Sequence, residues 1–307
     1  MKTTRPVNLP ASVRERLLNL SRSRREDFQL TLTRYGIECL LVRLSQSLYS
    51  HRFVLKGAQL FNLWTASFHR PTRDLDLAGY GDSSQQALAQ LFRELCSLDA
   101  EPDGLTFHPD SVRVTEIRGG QEYGGQRVQM LATLDNARID LRVDIGFGDA
   151  VTPGVEEVEY PTLLGSPAPR LRAYPKETVV AEKLHAAVVL GVLNSRMKDY
   201  YDVWAMSREL RFDGPVLTSA IRATFKRRLT EIPRVIPVAL TSDLAQRPDK
   251  IVQWNAFLSR SGLRTGGKGF PEIVEDLSHF LMPPLEALAG EEDFCQVWPA
   301  GGSWIPA

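Results

Sequence analysis

The chain has 307 residues, of which 43% are hydrophobic and 24% are charged. This is the composition of an ordinary globular protein, so it excludes a disordered or fibrous chain, and the length suggests two structural units rather than one. Lys and Arg balance Asp and Glu at 37 each, so the net charge of zero does not indicate that the chain as a whole binds a polyanion.

The first part of the chain predicts two helices followed by a strand, a turn and a helix. Apolar residues recur at helical spacing over 11–49 and are interrupted by the polar stretch 21–25. Residues 53–55 are typical of a short buried strand, and Lys56 and Gly57 form a turn into the next helix. Backbone N–H groups at such a turn can bind a triphosphate, although an ordinary tight turn is the alternative. We therefore take Lys56 and Gly57 as candidate nucleotide-binding residues.

Residues 73–77 alternate polar and apolar side chains with the period of two that is typical of a half-buried strand. Asp74 and Asp76 are therefore predicted to project from the same face. A helix is predicted next, and then three strands, of which the last two are joined by a hairpin turn at 135–137. The predicted ranges are 84–98 for the helix and 112–117, 128–134 and 139–145 for the strands.

Two aspartates at positions i and i+2, with a third carboxylate from a neighbouring strand, can hold two Mg²⁺ ions close together. Asp144 is the best third ligand for Asp74 and Asp76, and Asp140, on the same face of its strand, is the alternative. An isolated pair of this spacing is a weak signal that most often marks a surface pattern, but the preceding glycine turn strengthens it here. We expect Mg²⁺, or Mn²⁺, as the cofactor.

The Pro- and Gly-rich stretch 151–175 is the best candidate for a boundary, and after it the pattern is helical almost to the end. The predicted helices are 176–193, 198–210, 215–229, 242–258 and 271–288. The pattern predicts an α+β fold in which a mixed sheet flanked by helices is followed by a mainly α-helical C-terminal lobe. We expect four parts, namely N-terminal helices at 1–50, a core at 51–170, a helical lobe at 171–290 and a flexible tail at 291–307.

A second set of charged residues lies on two consecutive predicted helices. Lys183 is surrounded by apolar residues, where a buried lysine needs an acid or a phosphate as its partner unless it extends to solvent. Arg196, Lys198 and Asp199 lie at the start of the next helix, whose positive end favours an anion. A structural salt-bridge network of Lys183 with Asp199 and Asp202 is the competing interpretation.

Three cysteines are too few for a disulfide framework, and none lies at a zinc-ligand spacing. No apolar run reaches the ~20 residues that a membrane helix needs, and no signal-like segment opens the chain. We expect a cytoplasmic protein without membrane association.

Two basic segments could contact a nucleic acid backbone, although a solvated helix face is the more common reason for a run of charge. They are the arginine cluster of Arg22, Arg24 and Arg25 and the later run Lys226-Arg227-Arg228.

Together these motifs resemble the AbiEii/AbiGii toxin family of nucleotidyltransferases, relatives of polymerase-beta-type transferases found in toxin–antitoxin and phage-defence operons. The matching segments are VLKG at 54–57, RPTRDLDL at 70–77, AEKL at 181–184 and SRMKDYYD at 195–202. The resemblance implies that Thr72, Asp74, Lys183 and Asp199 form the active site and that Asp76 is the second metal ligand. Where the family usually has Gly-Gly or Gly-Ser at the turn, this chain has Gly57-Ala58.

The resemblance also implies a nucleotidyltransferase-type mixed sheet, a nucleoside triphosphate substrate and a cognate antitoxin. The acceptor that the resemblance favours is RNA. The leading site is the 3′ end of a tRNA, where addition of a nucleotide blocks translation. Transfer to a hydroxyl of a protein or small molecule is the first alternative. A catalytically silent binding module of the same fold is the second, and the intact set of Asp74, Asp76, Lys183 and Asp199 argues against it.

Overall fold

The computed structural model describes residues 8–65, 70–117 and 125–307, and the chain divides into two compact units. The first unit contains the chain up to Gly148 together with Glu156–Ala173. The second contains Asp149–Val155 and the chain from Tyr174 onward. The predicted boundary stretch at 151–175 therefore supplies residues to both units. No helix within the described ranges is long and apolar enough to cross a membrane.

The first unit is a seven-stranded mixed sheet with helices, as the sequence predicts. Its helices are α1 (Leu9–Arg24), α2 (Phe28–Gln46), α3 (Phe61–Trp64) and α4 (Gln85–Ser97), with short 3₁₀ helices at Ser50–Arg52 and Gly57–Leu60. Its strands are β1 (Phe53–Lys56), β2 (Asp74–Gly79), β3 (Leu105–Ile117), β4 (Gly125–Leu134), β5 (Ala137–Phe147), β6 (Glu156–Glu159) and β7 (Arg170–Ala173). The strand order is β3-β4-β5-β2-β1-β7-β6, in which β5 and β2 are parallel, β1 and β7 are parallel, and the other neighbours are antiparallel.

Side-chain caps explain where the main helices of this unit begin. The side chains of Asn8, Asp27 and Ser84 each accept a hydrogen bond from a backbone N–H in the first turn of α1, α2 and α4. The predicted break between the first two helices is confirmed, because α1 ends where Arg25 adopts a left-handed conformation with φ of 55°. Polar residues in the stretch 21–25 and its neighbours thus mark both the end of one helix and the start of the next.

The strand that follows α4 is longer than the sequence predicts. Hydrophobic alternation indicates a start at residue 112, but β3 begins at Leu105. The register against β4 shifts between His108 and Arg113, and this irregularity hides the period of two in the first half of the strand. The predicted hairpin between β4 and β5 is confirmed, with Asp135 in the turn at φ of 53°.

The two faces of the central strands differ in character. Leu75 and Leu77 of β2 are almost fully buried, as are Val143 and Ile145 of β5. Helix α2 packs against the apolar face of β5, and a Cβ atom built on Gly36 would lie 2.9 Å from Leu141. Residues at the alternate positions of the same strands point to the opposite face, where polar side chains collect.

Among the described residues of the first unit, one carboxyl group is buried. The side chain of Glu38 on α2 is 3% exposed, and its Oε2 accepts a hydrogen bond from the backbone N–H of Leu163 at 2.7 Å. Burial raises the pKa of Glu38 to about 7, despite that hydrogen bond and the nearby charge of Arg34. The folded protein therefore holds Glu38 protonated at pH values where the unfolded chain has already ionised it.

This difference predicts how stability depends on pH. A raised pKa in the folded state contributes stability at low pH that is lost as the pH rises towards 7. We expect Glu38→Gln to leave the free energy of unfolding unchanged near pH 4.5 and to raise it by roughly 2–3 kcal/mol at pH 8. Urea unfolding between pH 4.5 and 8 measures this, with Glu15→Gln on an exposed position as the charge-matched control. Equal stability of wild type and Glu38→Gln at pH 8 would contradict the prediction.

The second unit is mainly helical, which confirms the predicted lobe. Its helices are α5 (Lys176–Leu190), α6 (Met197–Glu209), α7 (Gly214–Arg227), α8 (Ser242–Ala245), α9 (Pro248–Ser261) and α10 (Phe270–Ala289), with 3₁₀ helices at Gly191–Leu193 and Val238–Leu240. Its strands β8 (Phe212–Asp213), β9 (Gln296–Trp298) and β10 (Ile305–Pro306) form a small sheet in the order β10-β9-β8. The single helix predicted at 242–258 is wrong, because Pro248 is tolerated only in the first turn of a helix and starts α9 there.

The C-terminal segment is packed into this unit, whereas the sequence suggests a flexible tail. Trp298 is buried, and its indole N–H donates to the backbone carbonyl of Ser207 at 2.7 Å. The indole N–H of Trp304 donates to the carbonyl of Phe280 at 2.9 Å, and the two rings stack. Large aromatic surface and satisfied indole donors hold the segment in place despite its high content of Gly, Pro and Ala.

Candidate active site

The polar face of the central sheet assembles the carboxylates that the sequence singles out. Asp74 and Asp76 lie on alternate positions of β2, and both are partly exposed while Leu75 between them is fully buried. Asp76 pairs in register with Asp144 of β5, so the two side chains occupy adjacent positions on the same face. The three aspartates thus come from two neighbouring parallel strands.

The register shows which of the two predicted third ligands lies beside the pair on β2. Asp144 lies directly beside Asp76, whereas Asp140 precedes it by four residues, which is about 13 Å along a strand. Asp140 is highly exposed and pairs with Arg138 at 3.0 Å. The geometry therefore places Asp144, and not Asp140, next to the pair on β2.

Gly57 approaches Asp76 closely. It has φ of +73°, which favours glycine, and a Cβ atom built on it would lie 2.1 Å from Oδ2 of Asp76. Lys56, the last residue of β1, pairs in register with Asp76 across the antiparallel ladder. Thr72 precedes β2, and its hydroxyl donates to the backbone carbonyl of Asp74 at 3.3 Å. Lys56 and Gly57, which are predicted to bind the nucleotide, and Thr72, which the resemblance assigns to the active site, therefore all lie next to the two aspartates.

The close approach at Gly57 leads to a prediction. We expect Gly57→Ala to displace the carboxylate of Asp76, because the new methyl group would overlap it, and to lower transfer activity at least roughly tenfold. Gly165→Ala is a matched control, since Gly165 has φ of +75° and no atom within 4 Å of the built Cβ. Both variants carry the conformational cost of about 1–2 kcal/mol, but only the first displaces Asp76. Equal activity of the two variants would show that the close approach has no part in the reaction.

Two of the carboxylates are held by arginines that the sequence analysis missed. Nε and Nη2 of Arg127 on β4 donate to the two carboxylate oxygens of Asp144 at 2.8 and 2.7 Å. Nη1 of Arg142 lies 3.4 Å from Oδ1 of Asp74. Polar residues at alternate strand positions are the only sequence signal for these contacts, because strand pairing and register must be known before Arg127 can be placed beside Asp144.

The donor set suits a hard divalent cation in type, since Asp74, Asp76 and Asp144 offer only carboxylate oxygens from adjacent positions of one face. Their side chains are not gathered around one point. Within the described ranges, no group of three or more His, Cys, Asp or Glu side chains is arranged to hold a metal ion. Asp74 and Asp144 are instead in contact with Arg142 and Arg127. The three aspartates therefore fit a metal site in the chemistry of their oxygen donors, and two of them are paired with guanidinium groups in this structure.

The second predicted set is assembled within the second unit. Nζ of Lys183 lies 2.6 Å from Oδ1 of Asp199 and 2.8 Å from Oδ2 of Asp202. The side chains of these three residues are 13%, 6% and 0% exposed, respectively. Nε of Arg196 lies 2.6 Å from the other oxygen of Asp199, while Lys198 is exposed. Lys183 is therefore paired with two buried acids, as the salt-bridge interpretation of the sequence predicts.

The two basic segments differ in how much of their charge is exposed. Lys226 and Arg227 are exposed at the end of α7, but Arg228 is mostly buried and lies 3.4 Å from Asp149 and 3.6 Å from Glu182. Arg228 therefore belongs to the internal ion pairs of the second unit. In the first unit, Arg22, Arg24 and Arg25 are exposed at the end of α1.

The sequence profile of one protein family matches residues 39–276, and that family is described as nucleotidyl transferase AbiEii toxins of type IV toxin–antitoxin systems. Two crystal structures from Helicobacter pylori are similar in fold. One is of a candidate nucleotidyltransferase, with a TM-score of 0.52 and 15% identity over 87% of this chain and 100% of that chain. The other is of JHP933, with a TM-score of 0.50 and 14% identity over 86% of this chain and 95% of that chain. No curated protein sequence matches the chain.

Proposed function

Because this chain belongs to the family of AbiEii nucleotidyl transferase toxins of type IV toxin–antitoxin systems, we propose that it transfers a nucleoside monophosphate from a nucleoside triphosphate to RNA. The acceptor is the 3′ end of a tRNA, and the modified tRNA no longer supports translation. The reaction requires Mg²⁺ or Mn²⁺, and a cognate antitoxin counteracts it in the cell.

The observation that carries this proposal is the placement of Asp74, Asp76 and Asp144 on one face of the sheet, beside the turn at Gly57. These three carboxylates would hold the metal, which supplies charge stabilisation at the reacting phosphate and a lower pKa for the attacking hydroxyl. Backbone N–H groups at the turn and the side chain of Lys56 bind and orient the triphosphate. The polar face of the sheet thus provides both the anionic and the cationic groups that a metal–triphosphate complex needs.

Lys183 and Asp199 are proposed to contribute to the same reaction through the nucleotide. Their contacts also give them a structural role, because each neutralises the other inside the second unit. Activity and stability must therefore be measured separately for variants at these positions.

Incubation of the protein with each labelled nucleoside triphosphate, Mg²⁺ and total cellular RNA tests the proposal. We expect label in the tRNA fraction at its 3′ end, which nuclease mapping locates. Labelling of protein or a small molecule, with none in RNA, would replace RNA by a protein or small-molecule hydroxyl as the acceptor. Absence of label from every fraction would favour a binding module without catalysis.

Salt dependence provides a further prediction about the acceptor. Phosphate contacts by Lys and Arg release counterions, so we expect transfer to RNA to fall steeply between about 50 and 200 mM salt. Charge reversal at the exposed pair Lys226 and Arg227 should raise the KM for RNA and leave the KM for the nucleotide nearly unchanged. Steady-state kinetics over a salt series measure both. Arg228 is left intact because it is engaged in ion pairs with Asp149 and Glu182. A reaction insensitive to salt would reject RNA as the acceptor.

A further inference from the structure

The strand register places a cation beside each carboxylate of the candidate active site. One row across four strands contains a lysine, two aspartates and an arginine, in that order, and the next row contains an aspartate followed by an arginine. The first row consists of Lys56, Asp76, Asp144 and Arg127, and the second of Asp74 and Arg142. This part of the sheet face therefore carries three negative and three positive side chains.

The two arginines contact the carboxylates that we propose as metal ligands. The planar fork of Arg127 binds both oxygens of Asp144, and this hydrogen bonding raises the pKa of Arg127. Arg142 contacts Asp74 through a single, longer approach of 3.4 Å. A metal ion and a guanidinium group compete for the same oxygen lone pairs, so neither aspartate can bind a metal fully while its arginine stays in place.

When a metal ion and a triphosphate occupy the site, the phosphate oxygens are a second possible partner for the two arginines. The side chains of Arg127 and Arg142 are 35% and 44% exposed. They can therefore change rotamer without losing contacts in the hydrophobic core. A guanidinium group matches the oxygens of a phosphate as well as those of a carboxylate. Once a metal neutralises the aspartates, the two positive charges lie beside a triphosphate with four negative charges, which is their most favourable partner.

We propose that Arg127 and Arg142 are phosphate-binding residues that hold Asp144 and Asp74 in the absence of substrate and move to phosphate oxygens when a metal–triphosphate complex binds. This inference rests on the proposed function, because it needs a metal and a triphosphate at the same face. It assigns a role to two residues outside the predicted motifs. It also accounts for a site with suitable metal donors that are not gathered around one point.

The inference predicts opposite changes in two affinities of one variant. Arg127→Gln and Arg142→Gln each remove a competitor for a carboxylate, so we expect Mn²⁺ alone to bind roughly three- to tenfold more tightly. The same variants lose a phosphate partner, so we expect inorganic tripolyphosphate, in the presence of saturating Mn²⁺, to bind at least roughly tenfold more weakly. Isothermal titration calorimetry on the full-length protein measures both constants without any turnover.

Arg138→Gln is the matched control. Arg138 lies on the same face of β5 as Arg142 and forms the same kind of ion pair, with Asp140, away from Asp76. Its loss should change neither constant. A structural role for Arg127 or Arg142 would weaken both affinities together, and no role would leave both at the wild-type value; either result overturns the inference.

Two further measurements separate this inference from the proposed function. If Asp76→Asn abolishes Mn²⁺ binding but the arginine variants behave like Arg138→Gln, the metal site stands and the inference fails. If wild type binds no Mn²⁺, both fail. Should Arg127→Gln not fold, Arg127→Lys keeps the positive charge but lacks the planar guanidinium fork. We expect this variant to bind Mn²⁺ more tightly than wild type does and to bind tripolyphosphate more weakly. Unchanged values for a folded Arg127→Lys would overturn the role of the fork.

Discussion

Replacement of Asp76 by Asn is expected to abolish nucleotide transfer while leaving the fold intact. Asn has the same shape, so the change removes one negative charge from a position that Gly57 and Asp144 flank on either side. Loss of a metal ligand costs several kcal/mol of transition-state stabilisation, which corresponds to a rate at least roughly a thousandfold lower. Asp74→Asn is expected to have the same effect, and initial rates with labelled nucleotide measure both.

Stability should change much less than activity. Asp76 lies in register between Asp144 and Lys56, so loss of its charge removes one repulsion and one attraction. Asp76→Asn should therefore unfold at about the same urea concentration as wild type. Asp140→Asn, on an exposed position away from the pair, is the control and should keep full activity. Near-normal transfer by a folded Asp76→Asn protein would contradict the metal-site assignment.

Replacement of Lys183 by Met is expected to lower the free energy of unfolding by about 3–5 kcal/mol. The change removes the cation that lies between Asp199 and Asp202, both of which are buried, and leaves their charges without that partner. Urea unfolding measures the loss. A triple variant, in which Asp199→Asn and Asp202→Asn accompany Lys183→Met, removes the stranded charges and should recover much of the stability.

Activity normalised to the folded fraction then tests whether Lys183 and Asp199 act in the reaction as well as in the fold. If they do, the stable triple variant should lose most of its activity, and its KM for the triphosphate should rise. A triple variant with wild-type activity per folded molecule would restrict Lys183 and Asp199 to the stability of the second unit. An unchanged unfolding curve for Lys183→Met would show instead that the ion pairs add nothing to the fold.

Local patterns were sufficient to predict most of the first unit. Polar caps such as Asp27 and Ser84 fix helix starts, and the alternation at Asp74 and Asp76 shows which side of the strand is buried, because both signals depend on residues within a few positions. The start of β3 could not be predicted in this way, since its register shifts within the strand.

The contacts of the candidate site depend on information that is not local. Arg127 and Asp144 meet only because β4 and β5 pair in one particular register, and a shift of one residue would place them on opposite faces. The pairing of Lys183 with Asp199 was predicted as an alternative because both lie in consecutive helices of one segment. The packing of Trp298 and Trp304 was missed, since a short segment rich in Gly and Pro carries no periodic signal.

The pairing of β1 with β7 has a consequence for the order in which the toxin becomes folded during its synthesis. Leu55 of β1 lies beside Ala173 of β7, so one edge of β1 stays open until the ribosome has added the intervening chain. At a typical rate of ~5–20 residues per second, this takes on the order of ten seconds. A chain terminated after β5 but before β7 carries Asp74, Asp76 and Asp144 on an unfinished sheet, with an unpaired strand edge that is prone to aggregate. Premature termination should therefore yield an insoluble fragment without toxicity rather than a smaller active enzyme.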